Sequence, residues 1–239
     1  MQYFPTHLFH QRRSRPSLRS LIVFTLTVGL CFYGETFADH HSTEQPGAQN
    51  QILVLGDSIS AGYGIRLENG WVNLLQRRLD ELQINWRVTN ASISGETTTG
   101  GLRRLPGLLK DIAPQIVIIE LGGNDGLRGY PIPRIKENLT SMVDLSMDAG
   151  AIPVIVEMRI PPNYGPRYTG AFDRVFGEAA AETGIPLMPF LLEDVALEPG
   201  FMQADGIHPT TAAQPIMLDA LFPYLLPVLN LFETPSRQD

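Results

Sequence analysis

The stretch ILVLGDSISAGYG, residues 52–64, joins a short apolar run to a polar, glycine-rich turn. Four consecutive apolar residues followed by Gly and Asp predict a buried strand that ends at Leu55 and leads into a turn or a helix cap. The turn holds two serines, Ser58 and Ser60. A serine in this place can either cap a helix or act as a nucleophile, and the rest of the chain must decide between the two.

The same alternation continues along the chain. Short apolar runs recur, and each leads into a segment whose apolar residues have the spacing of an amphipathic helix. The predicted strands lie at 52–55, 86–91, 116–121, 152–158 and 186–190. Five strands that alternate with helices predict an α/β fold, in which helices cover both faces of a parallel sheet. Pro186 and Pro189 place the fifth strand at an edge, because proline cannot donate a ladder hydrogen bond.

Each predicted helix presents one apolar stripe to the sheet. The stripes comprise Trp71, Leu75, Leu79 and Leu82; Leu102, Leu105, Leu109 and Ile112; Ile135, Leu139 and Met142; Phe172, Val175, Phe176 and Ala179; and Ile216, Met217, Ala220, Leu221 and Tyr224. In a sheet of this kind, ligands bind outside the carboxyl ends of the strands, near the point where the strand order reverses. A functional site is therefore expected on loops that follow strands.

The N-terminal residues have the features of a secretory signal. Residues 1–20 carry four arginines and no acidic residue, LIVFTLTVGLCFY follows at 21–33, and Thr36-Phe37-Ala38 is a small-x-small cleavage site. The run is shorter than the about 20 apolar residues of a membrane span, although an uncleaved anchor is the alternative. We expect export to the periplasm or the medium, with no stable membrane span after cleavage. The predicted segments are a signal peptide at 1–38, a flexible leader at 39–50, a single domain at 51–230 and a tail at 231–239.

Loss of the signal leaves a strongly acidic chain. Residues 1–38 contain four of the 18 basic and one of the 25 acidic residues, so the remaining net charge is −10. This charge disfavours nucleic acid or an anionic membrane surface as a partner. Cys31, the only cysteine, leaves with the signal, so the mature chain has no disulfide and no thiol chemistry. The scattered carboxylates form no convincing metal set, and we expect no metal and no cofactor.

His208 is the only histidine within the predicted domain. It stands in DGIHPT, where Asp205, three residues earlier, can accept the Nδ1 hydrogen and leave Nε2 free to take a proton. Taken alone, this pattern favours an ordinary loop before the last helix, with Thr210 as the helix cap. Polar groups on other loops change that interpretation.

Two further loops offer hydrogen-bond donors. Gly95, in NASISGETTTGG after the second strand, can bring its backbone N–H close to a ligand, and Asn124, in ELGGNDGLRG after the third, presents a side-chain amide. With Ser58 and the Asp205/His208 pair, these residues follow the first, second, third and fifth strands. Their convergence at one edge of the sheet predicts an acyl-transfer site, because a serine attacks an acyl carbon only with a base and oxyanion donors nearby.

Four blocks of sequence resemble, in order, the signature of the SGNH, or GDSL, hydrolase superfamily. They are GDSIS at 56–60, the glycine of SISGETT at 92–98, GGND at 122–125 and DGIHP at 205–209. Over residues 51–229 the chain is similar to the bacterial periplasmic acyl-CoA thioesterase I/lysophospholipase/arylesterase subfamily, including LPGLLK, RIPPNYGPRY and DGIHPTTAAQP. The resemblance implies a three-layer αβα, flavodoxin-like fold with strand order 2-1-3-4-5.

The resemblance also implies a role for each signature residue. Ser58 would be the nucleophile, and Asp205 and His208 would complete the triad. The backbone N–H groups of Ser58 and Gly95 and the side chain of Asn124 would form the oxyanion hole. The chain is thus predicted to be a monomeric serine hydrolase that cleaves esters and thioesters of acyl chains, as small-molecule substrates, through an acyl-enzyme.

Several residues and two functions remain as alternatives. Ser60 would face away from Ser58 in a helical turn, and Asp57 and Asp125 are predicted to be hydrogen-bonding groups of the turn and loop. The candidate apolar walls of an acyl groove are Leu127, Tyr130 and Tyr164. A carbohydrate deacetylase of the same superfamily is one alternative function. A flavodoxin-like FMN-binding module is the other, because GETTTGG at 95–101 resembles a phosphate-cradling loop.

Overall fold

The fold is built on five parallel strands. The computed structural model describes residues 49–232, and its strands are β1 Asn50–Gly56, β2 Trp86–Asn90, β3 Ile116–Glu120, β4 Ile152–Val156 and β5 Leu187–Met188. They pair in the order β2-β1-β3-β4-β5, which confirms the predicted order. The direction of winding reverses between the adjacent strands β1 and β3, and this leaves a crevice at their carboxyl ends.

The central strands β1 and β3 are buried on both faces. Ile52 and Val54 belong to one apolar core, and Leu53 and Leu55 belong to the other, yet all four side chains are 0% exposed. A strand with no face in water does not alternate apolar with polar residues, which explains the nearly continuous apolar runs of these two strands.

Helices form the two outer layers. Within residues 49–232 they are α1 Ser58–Ala61, α2 Trp71–Glu81, α3 Thr98–Ile112, α4 Gly123–Leu127, α5 Ile132–Asp148, α6 Pro166–Thr183 and α7 Gln214–Asn230. Helices α2 and α7 bury their apolar stripes in one core, and α3, α5 and α6 bury theirs in the other. The predicted three-layer αβα arrangement is therefore confirmed. The short helices α1 and α4 lie directly after β1 and β3, at the crevice.

Two residues of the predicted stripes lie in water. Leu82, the C-cap residue that ends α2, is 53% exposed. Tyr224 is 55% exposed, and Leu225 is buried in its place. The buried face of α7 runs through Met217, Leu221 and Leu225 at intervals of four, which turns Tyr224 outward.

The helical segment Thr211–Asn230 has the length and hydropathy that a membrane span requires, and it is the one such segment within residues 49–232. Its apolar character has a local explanation. Buried residues of α7 pack with those of α2 in the core on one face of the sheet. A core helix of a globular domain passes the same criteria of length and composition.

The fifth strand lies at the sheet edge, as predicted, and contains only Leu187 and Met188. Pro186 and Pro189 flank it and supply no N–H, so the ladder stops there. Residues 189–201 then cross the carboxyl edge of the sheet as turns without a helix or a strand. This segment forms much of the site described below.

The predicted chain ends fall mostly outside the described residues. The signal peptide at 1–38 and most of the leader lie there, and β1 begins at Asn50, the last residue assigned to the leader. Phe232, in the predicted tail, packs edge-on against Trp86 with 5.2 Å between ring centroids.

Candidate active site

Ser58 is the first residue of α1, two residues after β1 ends. Asp57 caps this helix, because its Oδ1 accepts the backbone N–H of Ile59 at 3.0 Å. A Cβ at Gly56 would lie 2.6 Å from Glu120 Oε2, so only glycine permits this turn to pack against β3. The position of Ser58 is therefore fixed by the cap at Asp57 and by the close packing of Gly56 against β3.

The structure brings His208 to Ser58 from a different loop. His208 Nε2 lies 2.9 Å from Ser58 Oγ, and His208 Nδ1 lies 2.7 Å from Asp205 Oδ2. Asp205 Oδ1 also accepts the backbone N–H groups of His208, at 3.0 Å, and Ile207, at 2.9 Å. The bonds from the backbone and side chain of His208, with that from Ile207, hold the pKa of Asp205 well below its usual range. Asp205 is thus a carboxylate that fixes the imidazole with Nε2 toward the serine.

Gln203 holds the histidine loop in place. Its backbone N–H donates to the His208 carbonyl at 2.8 Å, and its Nε2 donates to the carbonyls of Tyr63 and Pro209 at 2.8 and 3.0 Å. The Tyr63 ring lies against the His208 ring with 4.4 Å between centroids. One side chain therefore links the loop of the histidine to the chain that follows α1.

Asn124 lies in α4, just after β3, and faces the serine turn. Its Nδ2 donates to Asp57 Oδ2 at 3.1 Å. Ser58, Asn124 and His208 line one cavity. A side-chain amide beside a serine and an imidazole is a suitable donor for an oxyanion.

Gly95 lies on the loop that joins β2 to α3. Its φ of +78° is a left-handed conformation that favours glycine, and its carbonyl accepts a hydrogen bond from Arg128 at 3.1 Å. Asp125 ties the same loop to α4 by accepting both the N–H and the hydroxyl of Thr98, at 2.9 and 2.6 Å. The cavity-lining residues of the described chain do not include Gly95. The structure thus places Gly95 beside α4 and not on the cavity wall itself.

Two carboxyl groups, those of Asp57 and Glu120, are buried at the Ser58 turn. Burial raises the pKa of Asp57 to about 6, against the opposing effect of its hydrogen bonds from Ile59 and Asn124. Burial and the nearby charge of Asp57 raise the pKa of Glu120 well above its usual value. Ser60 donates to Glu120 Oε2 at 2.6 Å and, unlike Ser58, is not among the residues that line the cavity.

The cavity has a volume of about 540 Å³ and mainly apolar walls. Leu127 lines it as predicted, but the predictions for Tyr130 and Tyr164 were wrong. The Tyr164 hydroxyl instead donates to the Leu127 carbonyl at 2.8 Å, behind the wall, and Tyr130 is 38% exposed. The apolar lining residues are Ile59, Leu127, Met158, Ile160, Pro161, Pro162, Phe190, Leu191, Leu192, Ala196, Leu197, Met202 and Ile207.

The segment after β5 is the wall that sequence reasoning missed. The available signal was the apolar content of FLLEDVAL, residues 190–197, but this stretch has neither a strand nor a helix period that indicates a buried face. Arg159, from the loop after β4, pairs with Glu193 and lies over the Phe190 ring. This ion pair joins the loop after β4 to the segment after β5, and both line the cavity.

Comparisons with known proteins agree with this geometry. The family model of the GDSL-like lipase/acylhydrolase family matches residues 54–215. The esterase TesA of Pseudomonas aeruginosa is 51% identical over 187 residues, which are 78% of this chain and 92% of that protein. The thioesterase 1/protease 1/lysophospholipase L1 of Escherichia coli is 43% identical over 188 residues, 79% of this chain and 89% of the relative.

A solved structure shows the same architecture. The crystal structure of the psychrotrophic esterase EstA from Pseudoalteromonas sp., inhibited by monoethylphosphonate, has a TM-score of 0.73 and 46% identity. The match covers 76% of this chain and 99% of that one. A hydrolase with a serine, a histidine and a carboxylate at the edge of a parallel sheet is what the fold and site define. The chain belongs to the GDSL-like lipase/acylhydrolase family, and the prediction of an ester and thioester hydrolase is confirmed at that level.

Proposed function

We propose that Ser58, His208 and Asp205 are the catalytic triad of this hydrolase, and that it prefers acyl chains longer than acetate. The observation that carries the proposal is the 2.9 Å contact between Ser58 Oγ and His208 Nε2 at an apolar cavity of about 540 Å³. The contact supports nucleophilic catalysis, and the cavity supports an acyl substrate.

In the proposed acylation step, the proton moves along the contact from Ser58 to His208, whose ring Asp205 holds. His208 Nε2 removes the proton of Ser58 as Oγ bonds to the acyl carbon, and Asp205 stabilises the imidazolium. The tetrahedral intermediate collapses, its bond to the leaving oxygen or sulfur breaks, and His208 returns the proton to that atom. In deacylation His208 takes a proton from water, the resulting hydroxide attacks the acyl carbon, and Ser58 is released with its proton restored.

Three donors are proposed for the oxyanion. The N–H of Ser58 has no acceptor within α1, because Ser58 is the first residue of that helix. The Asn124 amide has a second hydrogen that its bond to Asp57 leaves free. The N–H of Gly95 is the third proposed donor. Gly95 does not line the cavity in this structure, so this role requires its loop, which the carbonyl bond to Arg128 ties to the end of α4, to approach the bound substrate.

The nucleophile is tested with Ser58→Ala and a phosphonate probe. We expect Ser58→Ala to abolish hydrolysis of p-nitrophenyl acyl esters, by at least about 10⁴-fold in kcat, with the unfolding temperature preserved. A fluorophosphonate should label Ser58 in the wild type and in the matched control Ser60→Ala, as located by peptide mass spectrometry. The inhibition of EstA by monoethylphosphonate motivates this probe. Full activity of Ser58→Ala would refute the assignment.

The acyl preference is tested with a chain-length series of esters and thioesters. Each methylene that enters the cavity contributes about 0.8 kcal/mol, so kcat/KM should rise about fourfold per added carbon until the cavity is filled. A carbohydrate deacetylase would instead lose activity sharply beyond acetate. The length at which kcat/KM stops rising reports the depth of the cavity.

The FMN-binding alternative is disfavoured by contacts at the start of α3. Thr97 Oγ1 accepts the N–H of Gly100, and Asp125 Oδ2 accepts the N–H of Thr98. A carboxylate of the chain itself therefore takes a donor that a phosphate would need. Flavin absorbance in the purified protein would support the alternative.

We also propose that the mature protein acts as a monomer outside the cytoplasm. The signal features of residues 1–38 support export, and a single chain contributes every group of the site. Cell fractionation with N-terminal sequencing should find the activity in the periplasm or medium, with a chain that begins after Ala38. Size-exclusion chromatography with light scattering checks the monomer.

A further inference from the structure

Asp57 makes more contacts than helix capping requires. Its Oδ1 accepts the N–H of Ile59 at 3.0 Å, which completes the cap of α1. Its Oδ2 has a separate partner, the Nδ2 of Asn124 at 3.1 Å, on an element that follows a different strand. One carboxylate therefore joins the end of the nucleophile strand β1 to the amide that follows β3.

We infer that Asp57 is a positioning residue for the oxyanion hole, which holds the Asn124 amide with its NH2 group toward the reacting carbonyl. This inference rests on the proposed function. The reason is the chemistry of the amide, which has a donor end and an acceptor end of nearly equal size. A carboxylate acceptor at one side allows only the donor end to face it, so the amide cannot rotate to present its oxygen to an oxyanion.

The surroundings of Asp57 make it a rigid anchor. The side chain is 3% exposed, and its own N–H donates to Glu120 Oε2 at 3.3 Å. A Cβ at Gly123 would lie 3.3 Å from Asp57 Oδ2 and 2.9 Å from Met158, so glycine at this position keeps α4 close enough for the bond to Asn124. The Asn124 amide is thus held by Asp57, which follows β1, and by the close packing of α4 at Gly123.

No lysine or arginine explains the buried carboxylate, because none of the salt bridges found among residues 49–232 includes Asp57. His208 favours the charged form of Asp57, whereas the acidic Asp125 and Glu120 disfavour it. Burying this charge beside two other acids is unfavourable for folding, so the helix cap alone does not explain a carboxylate at this position, and the contact with Asn124 does.

The inference is tested with two substitutions at Asp57 and a double-mutant cycle. Asp57→Asn keeps the shape and can still cap Ile59 through its oxygen, but it turns an NH2 group toward that of Asn124. Asp57→Ser keeps a good helix cap and is too short to reach Asn124. We expect either variant to lower kcat about 10- to 100-fold, with KM within about threefold of wild type. The loss should be smaller than that for removal of the Asn124 donor, because a wrongly oriented amide still stabilises the oxyanion in part.

The cycle separates positioning from a general structural role. Asn124→Ala should lower kcat by about 10²–10³-fold, and Asp57→Asn added to it should cost less than about threefold more. Independent, multiplying effects of the two substitutions would overturn the inference, as would near-normal kcat in both Asp57 variants. Loss of the folded circular dichroism signal in both would also overturn it, since Asp57 would then be needed for folding. Ser58→Ala, measured in parallel, reports on the proposed function alone, so the two failures can be told apart.

Discussion

Two parts of the site are held in different ways: the turn at residues 56–60, which carries the proposed nucleophile Ser58, and the histidine loop at residues 203–209. Every residue from Gly56 to Ser60 is buried, and the turn is bonded from below by Glu120 and from the side by Asn124. In the histidine loop, residues 204–207 are exposed, and Asp205 and Gln203 supply most of its bonds. The core of the protein positions Ser58, whereas a few hydrogen bonds in a surface loop position His208, the proposed base.

This difference predicts where the site is most sensitive. A short turn between a buried strand and a helix cannot move without disturbing the core. A loop held by local hydrogen bonds can shift by fractions of an ångström at small cost in stability. Substitutions in the histidine loop should therefore change activity more than stability, and those beneath the serine should change both.

Within the histidine loop, the largest expected effect is that of Asp205→Asn. The asparagine oxygen can keep the backbone N–H bonds of Ile207 and His208, which turns its NH2 group toward His208 Nδ1. Nδ1 must then accept, and the proton moves to Nε2, where it blocks removal of the serine proton. We expect kcat to fall by about 10³-fold with little change in unfolding temperature. A loss below tenfold in steady-state assays would show that the loop does not depend on Asp205 to orient the ring.

An intermediate effect is expected in the pH dependence of stability. Burial raises the pKa of Asp57 to about 6 from an ordinary 3.8. The folded state thus binds this proton more tightly than the unfolded chain, so the contribution is fully present below about pH 4 and is lost as pH rises to about 6. The loss amounts to about 3 kcal/mol at most. Glu120 contributes in the same direction, whereas the lowered pKa of Asp205 acts with the opposite sign at pH below this window.

Thermal unfolding of wild type and Asp57→Asn checks this prediction. The variant has no charge to bury, so its unfolding temperature relative to wild type should rise between pH 4.5 and pH 7.5. The exposed Asp148→Asn, at the end of α5, is the matched control and should give the same small difference at both pH values. Parallel pH profiles for wild type and Asp57→Asn would contradict the prediction.

The smallest effect is expected for Gln203→Ala. The variant loses two side-chain hydrogen bonds: one connects the histidine loop to the Tyr63 carbonyl, and the other closes the loop on the Pro209 carbonyl. We expect kcat to fall about tenfold, since a misplaced base is costly, with KM nearly unchanged. The matched control is Gln115→Ala, which loses side-chain bonds to Gln51 and Ala113 at the other end of the sheet. If the two variants are destabilised to a similar extent and only Gln203→Ala loses kcat, the loss of activity comes from the histidine loop and not from general destabilisation. Equal kcat values for the two variants would contradict the prediction.

Much of the fold and the site could be predicted because each rested on a local signal. The nearly continuous apolar run at 116–121, interrupted only by Glu120, indicated a doubly covered strand, and β3 is one. The residues of the proposed triad could be selected because His208 is the only histidine of the domain and Asp205 stands three residues before it. The walls were predicted less well, since Tyr130 and Tyr164 were chosen by residue type and position in a loop, and neither lines the cavity.

The sequence by itself determined the succession of strands and helices along the chain and the residue types available for chemistry. Hydrophobic periodicity and the rarity of histidine are properties of the chain alone. Only the tertiary structure decided that residues 190–197 form a wall, that Gln203 holds the loop of the base, and that Asp57 faces Asn124. Asp57 and Asn124 lie 67 residues apart. Contacts of this kind depend on which strands are neighbours and on where each loop crosses the sheet edge, and no local pattern encodes either.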